Sequence, residues 1–497
     1  MAAFRILAWI FWLVVLPVAM VLAVLNRAWD WLDAFIAWLK QKKPTTHGDA
    51  DWATKKQLKQ NGNLDPHGFY MCRVANRPVF SHRERSAIMM AAPGTGKSQT
   101  IIAGIHALKL LPAHERPTLI ISDAANEVYT WTRKLLDELG YSVGKIDLQE
   151  PGMSAKYDVL SYIRPTHVGI DVEDVVDALV APDPKEIQRH FRDFARKMLK
   201  DAITLNVKYE GNTKTIDEIV SEIIDEEGRE GLIERMKKYG PEFAAIKTFE
   251  KLGKNEGPSM LSTSLNHLEI WKADRIKDVS RNGLMDGETV ERGWTWEDVL
   301  THKKPVAIFI RTGLSGAAVG GQFTRVVMLN AVHTVMRMWD RRPVDSKLPC
   351  LIRPLRIIAD EAADMGRCTA IVKAHNVLRK AGVTIMLCFL SKSAFDATYG
   401  DDAPTLWSGC DHLVFGGCKD GPTNLKYSEM AGKRTVLSES RDASGAVRGL
   451  TEIGVPLIFP DQIFKMGKYE AFASLGNLVV RDSKPYYRGR NGQHFYL

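Results

Sequence analysis

Cysteine is scarce in this chain of 497 residues. The six present (Cys72, Cys350, Cys368, Cys388, Cys410 and Cys418) are scattered without a CxxC pair. That spacing excludes a disulfide framework and a zinc ribbon and fits a reducing compartment. The 13 histidines show no metal-ligand spacing either. Internal repeats and low-complexity tracts are absent. Apolar residues make up 45% and charged residues 25%, which excludes disordered, collagen-like and small disulfide-stapled classes. The length predicts about two to four domains at roughly 150 residues each. Lys and Arg number 67 against 59 Asp and Glu, a net +8 that leans only slightly towards an anionic partner.

One long apolar run is present. Residues 6–25, ILAWIFWLVVLPVAMVLAVL, would span about 30 Å as a helix, the thickness of a hydrocarbon core. A cleaved signal peptide would need only about 7–15 apolar residues and a small-residue cleavage site. Arg5 alone precedes the run, whereas Arg27, Lys40, Lys42 and Lys43 follow it, so the bulk of the chain is expected on the cytoplasmic side of the inner membrane. Residues 28–39 carry Asp30 and Asp33 and three tryptophans, the pattern of an interfacial helix. Residues 1–43 thus read as an anchor.

Residues 42–68 are polar and turn-rich and read as a linker, with 44–85 leading into the next domain. A short apolar run at 86–90, a helix at 99–111, a strand at 118–122 and a further helix to residue 139 open a parallel α/β sheet. From 172 to 300 helical periodicity dominates, at 186–202, 215–225, 231–239, 241–252 and 259–281. Strand-like runs resume at 306–310, 355–359, 383–390 and 412–415. The middle therefore reads as an all-helical insertion, with the α/β domain divided into 86–171 and 301–497.

Residues 91–98, AAPGTGKS, match a phosphate-binding loop except that Ala91 stands where the first glycine usually does. Consecutive backbone N–H groups of the loop and its exit would cradle phosphates, with Ala92, Pro93, Gly94, Thr95, Gly96, Lys97, Ser98 and Gln99 as the binding residues. Lys97 would neutralise them and the Ser98 hydroxyl would reach Mg²⁺. A strand ahead and a helix behind supply the context that this chemistry requires. The run LRIIADE at 355–361 ends an apolar strand in two carboxylates. It predicts Asp360 at the metal ion and Glu361 as the general base for water, the alternative being a solvated acidic turn.

Beyond these motifs the chain resembles the type IV secretion coupling proteins. The resemblance runs through GDADWATKKQLKQNG (48–62), TLIISDAANEVYTWT (118–132), LRIIADEAADMG, LRKAGVTIML, TYGDDAPTLWSGCDHLVFGG, GVPLIFPDQIFKM (454–466) and the closing VVRDSKPYYRG. It implies an ATPase using ATP and Mg²⁺, with a P-loop domain of the ring DNA-translocase type, an inserted all-helical domain and an N-terminal transmembrane helix. A homohexamer at the cytoplasmic membrane would pass a relaxase-bound single strand of DNA, or a protein, to a secretion channel. By the same resemblance Arg379 would act as an arginine finger on a neighbour's nucleotide.

The chain also departs from that pattern. Leu390 and Ala394 occupy positions where the family carries glutamines, the first a γ-phosphate sensor, and Ala124, Ala125 and Asn126 replace Pro-Lys-Gly. These changes predict intact binding but slow hydrolysis. No acidic recruiting tail is expected after residue 497. The basic residues Arg189, Arg192, Arg196, Lys197 and Lys200 read either as phosphate contacts or as a solvated face. Tyr486, Tyr487, Arg488 and Arg490 are open between base stacking and an edge strand. A protein-only adaptor and a duplex DNA pump are the rival functions. The pump usually has several membrane spans and a winged helix, neither legible here.

Overall fold

The computed structural model describes residues 27–28, 31, 45–181, 189–240, 243, 246, 265–266, 268–280, 294–313, 317–343, 351–368, 371–372, 378–441 and 447–485. The apolar run 6–25 and the tail 486–497 lie outside them. Among the described residues no helix is long and apolar enough to cross a membrane.

The strands are β1 (Tyr70–Val74), β2 (Arg77–Phe80), β3 (Ala87–Ala91), β4 (Thr118–Ser122), β5 (Ser142–Asp147), β6 (Val306–Arg311), β7 (Leu355–Ala359), β8 (Val383–Phe389), β9 (Asp411–Phe415), β10 (Lys433–Arg441), β11 (Val447–Pro456), β12 (Glu470–Leu475) and β13 (Leu478–Ser483). Eleven of them form one sheet in the order β2-β1-β13-β12-β9-β3-β8-β7-β4-β6-β5. From β9 to β5 every pairing is parallel. The remaining pairings, from β9 to β12 and outward to β2, are antiparallel. Central strands β3, β4, β7, β8 and β9 are buried along their whole length, which is why they read as unbroken apolar runs without alternation.

One face of this sheet is covered by the helices Lys97–His106 and Glu127–Glu138. Ile101, Ile102 and Ile105 of the first and Val128 and Leu136 of the second pack on Met89, Ile121, Phe309 and Phe415. A side chain such as Phe309, wholly buried, contributes about 1.5–3 kcal/mol by leaving water. Aromatic edges fill another part of the core, where Phe389, Phe395, Tyr399 and Trp407 meet at centroid separations of 5.2–6.2 Å.

Between β5 and β6 the described elements are all helical, chiefly Val168–Leu179, Arg189–Lys208, Ile216–Ile224 and Glu226–Tyr239. The helix expected at 99–111 ends as α-helix at His106 and tightens into a 3-10 turn over Ala107–Leu110. Residues 42–68, expected as a linker, include the capped helix Lys55–Gln60, whose Leu58 is buried in the main core. Residues 53–64 are therefore docked on that core, with Ala53 and Leu64 packed beside Leu58. Within the family-like stretch 454–466, β11 runs to Pro456 and a short helix, Pro460–Phe464, follows. The segment 241–252, apart from residues 243 and 246, and residues 259–264 fall outside the described residues, whereas within 268–280 lie a 3-10 turn, Glu269–Lys272, and the helix Asp274–Ser280.

The chain divides into two compact units, Met1–Asp51 with Gly432–Leu457, and Trp52–Ala431 with Ile458–Leu497. In the first, β10 and β11 pair antiparallel over their length, and Ala50 N donates to Lys433 O at 3.0 Å. All eleven strands of the large sheet belong to the second.

Candidate nucleotide site

The loop after β3 is shaped by two glycines. Gly94 (φ 72°) and Gly96 (φ 92°) take left-handed conformations that a side chain would oppose. Thr95 Oγ1 donates to Ala92 O at 2.6 Å and closes the curl. Ala92 is half-buried, Pro93 and Gly94 are exposed, and Ser98 and Gln99 sit half-buried in the first helical turn. Gly96 gives that helix no side-chain cap. Its first amides are therefore free of intrahelical partners at the positive end of the macrodipole, which suits an anion.

β8 lies between β3 and β7, with Phe389 opposite Met90 and Leu387 opposite Ala359. The chain ends of all three strands thus emerge at one edge, the crevice where α/β sheets bind ligands. Lys97 and Glu361 meet there: Lys97 Nζ lies 2.6 Å from Glu361 Oε1, with Lys97 only 9% exposed and Glu361 38%. Glu361 sits at φ 53°, left-handed for a residue with a side chain, at a cost of about 1–3 kcal/mol. The Ala362 N–H to Cys388 O bond, 3.0 Å, holds the turn that imposes it.

Asp360 is the most perturbed carboxyl of the site. Burial pushes it up to about 7, against the pull of Lys97, with Glu361 and Asp123 adding repulsion. Its Oδ1 is buried without a hydrogen-bond partner. An orphaned buried carboxylate oxygen beside a phosphate loop is a fitting hard-oxygen ligand for Mg²⁺, directly or through water. Asp123 is instead engaged by the backbone N–H groups of Val128 and Tyr129, at 3.2 and 2.7 Å. Asn126, where the family carries glycine, keeps the left-handed turn at φ 59°, which asparagine tolerates.

Arg379 is placed elsewhere. It is exposed and precedes β8, so it stands at the opposite edge of the sheet from the phosphate loop of its own chain. Leu390, 39% exposed, follows β8 directly at the site edge. Within the basic stripe on helix Arg189–Lys208, Arg196 pairs with Asp177, Lys200 pairs with Glu173 and Arg192 is buried, whereas Lys197 is exposed.

Sequence reasoning missed Lys484. Its ammonium donates to the Thr95 carbonyl in the phosphate loop and lies 4.1 Å from the Phe415 ring centroid, while Thr100 Oγ1 donates to Pro485 O at 3.2 Å. Burial, with Lys468 nearby, lowers the amine to about 7 from 10.5. Nothing in a lysine followed by proline signals burial, since burial is decided by β13 packing next to β12. The unfolded chain binds this proton up to about pH 10.5 and the folded chain only to about 7, so stability from this group should rise as pH climbs through that window. Lys484→Met is expected to flatten that slope, as denaturant titrations at pH 7 and pH 9 would show.

Fold and site together define a P-loop nucleotide-binding protein. Residues 354–468 match the family described as the TraM recognition site of TraD and TraG. The bacterial conjugative coupling protein TrwBdeltaN70, unbound, superposes with a TM-score of 0.65 at 16% identity, covering 87% of this chain and 92% of that one. TrwB with the non-hydrolysable ATP analogue ADPNP gives 0.65 at 15%, covering 89% and 95%. TrwB with ADP and Mg²⁺ gives 0.64 at 16%, over the same shares. No curated protein is significantly similar in sequence. The chain thus matches that family over residues 354–468 and shares its fold with TrwB.

Proposed function

We propose that this protein is a membrane-anchored coupling ATPase that recruits a relaxase with its single-stranded DNA and feeds it to a type IV secretion channel. The meeting of Lys97 with the Asp360–Glu361 pair, at the strand-end edge of a coupling-protein fold, carries the reading. The TrwB complexes with an ATP analogue and with ADP and Mg²⁺ support ATP and Mg²⁺ as cofactors.

In this reading Ala92 and Gly94 to Gln99 hold the phosphates through backbone N–H groups, with Pro93 shaping the loop between them, and Lys97 exchanges Glu361 for phosphate oxygens. Ser98 and Asp360 hold Mg²⁺, whose charge would stabilise the leaving phosphate. Glu361, released from Lys97, accepts the proton of the attacking water. Arg379 cannot reach its own loop from the far edge, so it serves a neighbour's site in a homohexameric ring. Residues 6–25 hold the ring at the inner membrane, 28–39 lie at its surface, and 172–300 select the cargo.

Steady-state ATPase assays on the full chain in detergent test this directly. Turnover is expected to rise when single-stranded DNA is added. Loss of both nucleotide binding and turnover would overturn the reading. Leu390 at the sensor position favours a second reading, a protein-recruiting adaptor with weak hydrolysis, which predicts nucleotide binding that DNA does not stimulate.

Asp360 adds a pH signature. Folding raises its pKa, so between 3.8 and about 7 the folded chain holds a proton that the unfolded chain has lost. Stability from this group is therefore present below that window and declines as pH rises through it. Bound Mg²⁺ requires the carboxylate, so Mg²⁺-nucleotide binding near pH 7 should release roughly half a proton from this group. Calorimetry in two buffers of different ionisation enthalpy reads the release, and Asp360→Asn should abolish it.

A further inference from the structure

We propose that Lys484 is a positioning residue for the nucleotide: held behind the phosphate loop, its side chain fixes the Thr95–Gly96 peptide with the Gly96 N–H turned towards the incoming phosphates. This role rests on residues 91–98 being the nucleotide site, and it falls to a residue far outside the loop motif.

Lys484 is anchored before it reaches the loop. It follows β13 directly and is only 2% exposed. Its backbone N–H donates to Tyr469 O at 3.0 Å, and the next carbonyl, Pro485 O, accepts from Thr100 Oγ1 at 3.2 Å. The side chain passes the Phe415 ring, with Nζ 4.1 Å from the centroid, and ends on the Thr95 carbonyl. Thr100 lies on the helix that leaves the loop, and Phe415 is the last residue of β9. The amine thus comes from a strand end tied to the elements around the loop. Burial lowers it to about 7, yet charged or neutral it keeps N–H donors for that carbonyl.

The contact decides which way one amide points. A trans peptide is planar, so its C=O and its N–H face opposite directions. With the Thr95 carbonyl turned inward to a buried lysine, the Gly96 N–H faces outward, where phosphate arrives. Gly96, at φ 92°, lacks the Cβ that would resist a flip of this peptide. Thr95 is seated as well. A Cβ on Gly416 would stand 2.5 Å from Thr95 Cβ, so glycine there lets the loop settle against the exit of β9. Lys484 then presets the Gly96 amide, which lowers the ordering cost of binding.

The test titrates the full-length protein in detergent with ADP, without Mg²⁺, at pH 7. Lys484→Met keeps the stem and removes the donor, and is expected to weaken ADP binding by about tenfold. With Mg²⁺ and ATP, KM should rise by a similar factor while kcat stays within about threefold, because the amide holds ground state and transition state alike. Lys484→Arg, which keeps a donor, should bind ADP within about threefold of wild type. A merely structural role would instead lower the active fraction, and so kcat, at unchanged KM. That result would overturn the proposal, as would equal loss of ADP binding in both variants. Should Lys484→Met lower the unfolding midpoint, KM still decides, since it does not depend on how much of the enzyme is active. Lys97→Ala is the control for the site itself. ADP binding lost there but kept in Lys484→Met would overturn this role alone, whereas binding that Lys97→Ala leaves undiminished would overturn the nucleotide site and this role with it.

Discussion

Lys97→Ala is expected to weaken ATP binding by roughly 10- to 100-fold, the loss of a charge-assisted contact worth about 1.5–3 kcal/mol. The substitution also strips Glu361 of its 2.6 Å partner and leaves a carboxylate facing the incoming phosphates. Repulsion adds to the missing attraction. Glu361→Gln acts in the opposite sense on binding. It spares the loop amides and removes the group that competes with phosphate for Lys97, so affinity should hold or rise a few-fold. Turnover should nevertheless fall by about 10²–10⁴, because the base is gone. Titration with a fluorescent ATP analogue, alongside steady-state hydrolysis, separates the two. Equal loss of binding in both variants would contradict the assigned roles. Little change in global stability is expected from either, since Glu361 is more than a third exposed and water screens the pair.

The parts of the fold that were legible in sequence are the parts that are buried on both faces. TLIIS, LRIIA and VTIMLCF announce β4, β7 and β8 because a parallel strand under two helical layers has no polar side to show. β5 was not read: SVGKID is exposed or half-buried over Ser142–Lys145 and carries lysine and glycine, so its edge position hides it. The helix Ala317–Asp340 escaped for another reason. Residues 323–335 are buried all round, and their pattern lacks the polar stripe that marks a surface helix. Arg325 is tolerated inside it by donating to the carbonyls of Ala178 and Met365. At the site, Lys97 and Glu361 were readable because their motifs are local. Lys484 was not, since it reaches the phosphate loop only through strand pairing distant in sequence.

Leu390→Gln is expected to raise ATP turnover by about 10²–10³, the value of one donor that strengthens its contact in the transition state, about 2.7–4 kcal/mol. The position is apt. Phe389 pairs opposite Met90, so Leu390 leaves β8 at the level of Ala91 and between the phosphate loop and the Asp360 turn. It is 39% exposed at an edge where a leucine gains little from burial. The neighbouring hydroxyls are poor substitutes for the sensor. Ser391 Oγ accepts from Ala394 N at 3.1 Å and caps the helix Lys392–Tyr399. Ser393 Oγ donates to Asp420 Oδ1 at 2.6 Å. Freeing either would sacrifice a cap or a charge-assisted bond, each worth about 1 kcal/mol or more. Ser393→Ala should therefore leave the rate within a few-fold of wild type. Ser391→Ala should lower stability through the lost cap before it touches catalysis. The decisive comparison is the single-turnover rate of wild type, Leu390→Gln and Ser393→Ala with saturating ATP and single-stranded DNA. A wild-type rate that Ser393→Ala lowers tenfold while Leu390→Gln leaves it unchanged would move the sensor to the serine. A fast wild-type rate that neither substitution alters would remove the sensor from this strand end altogether.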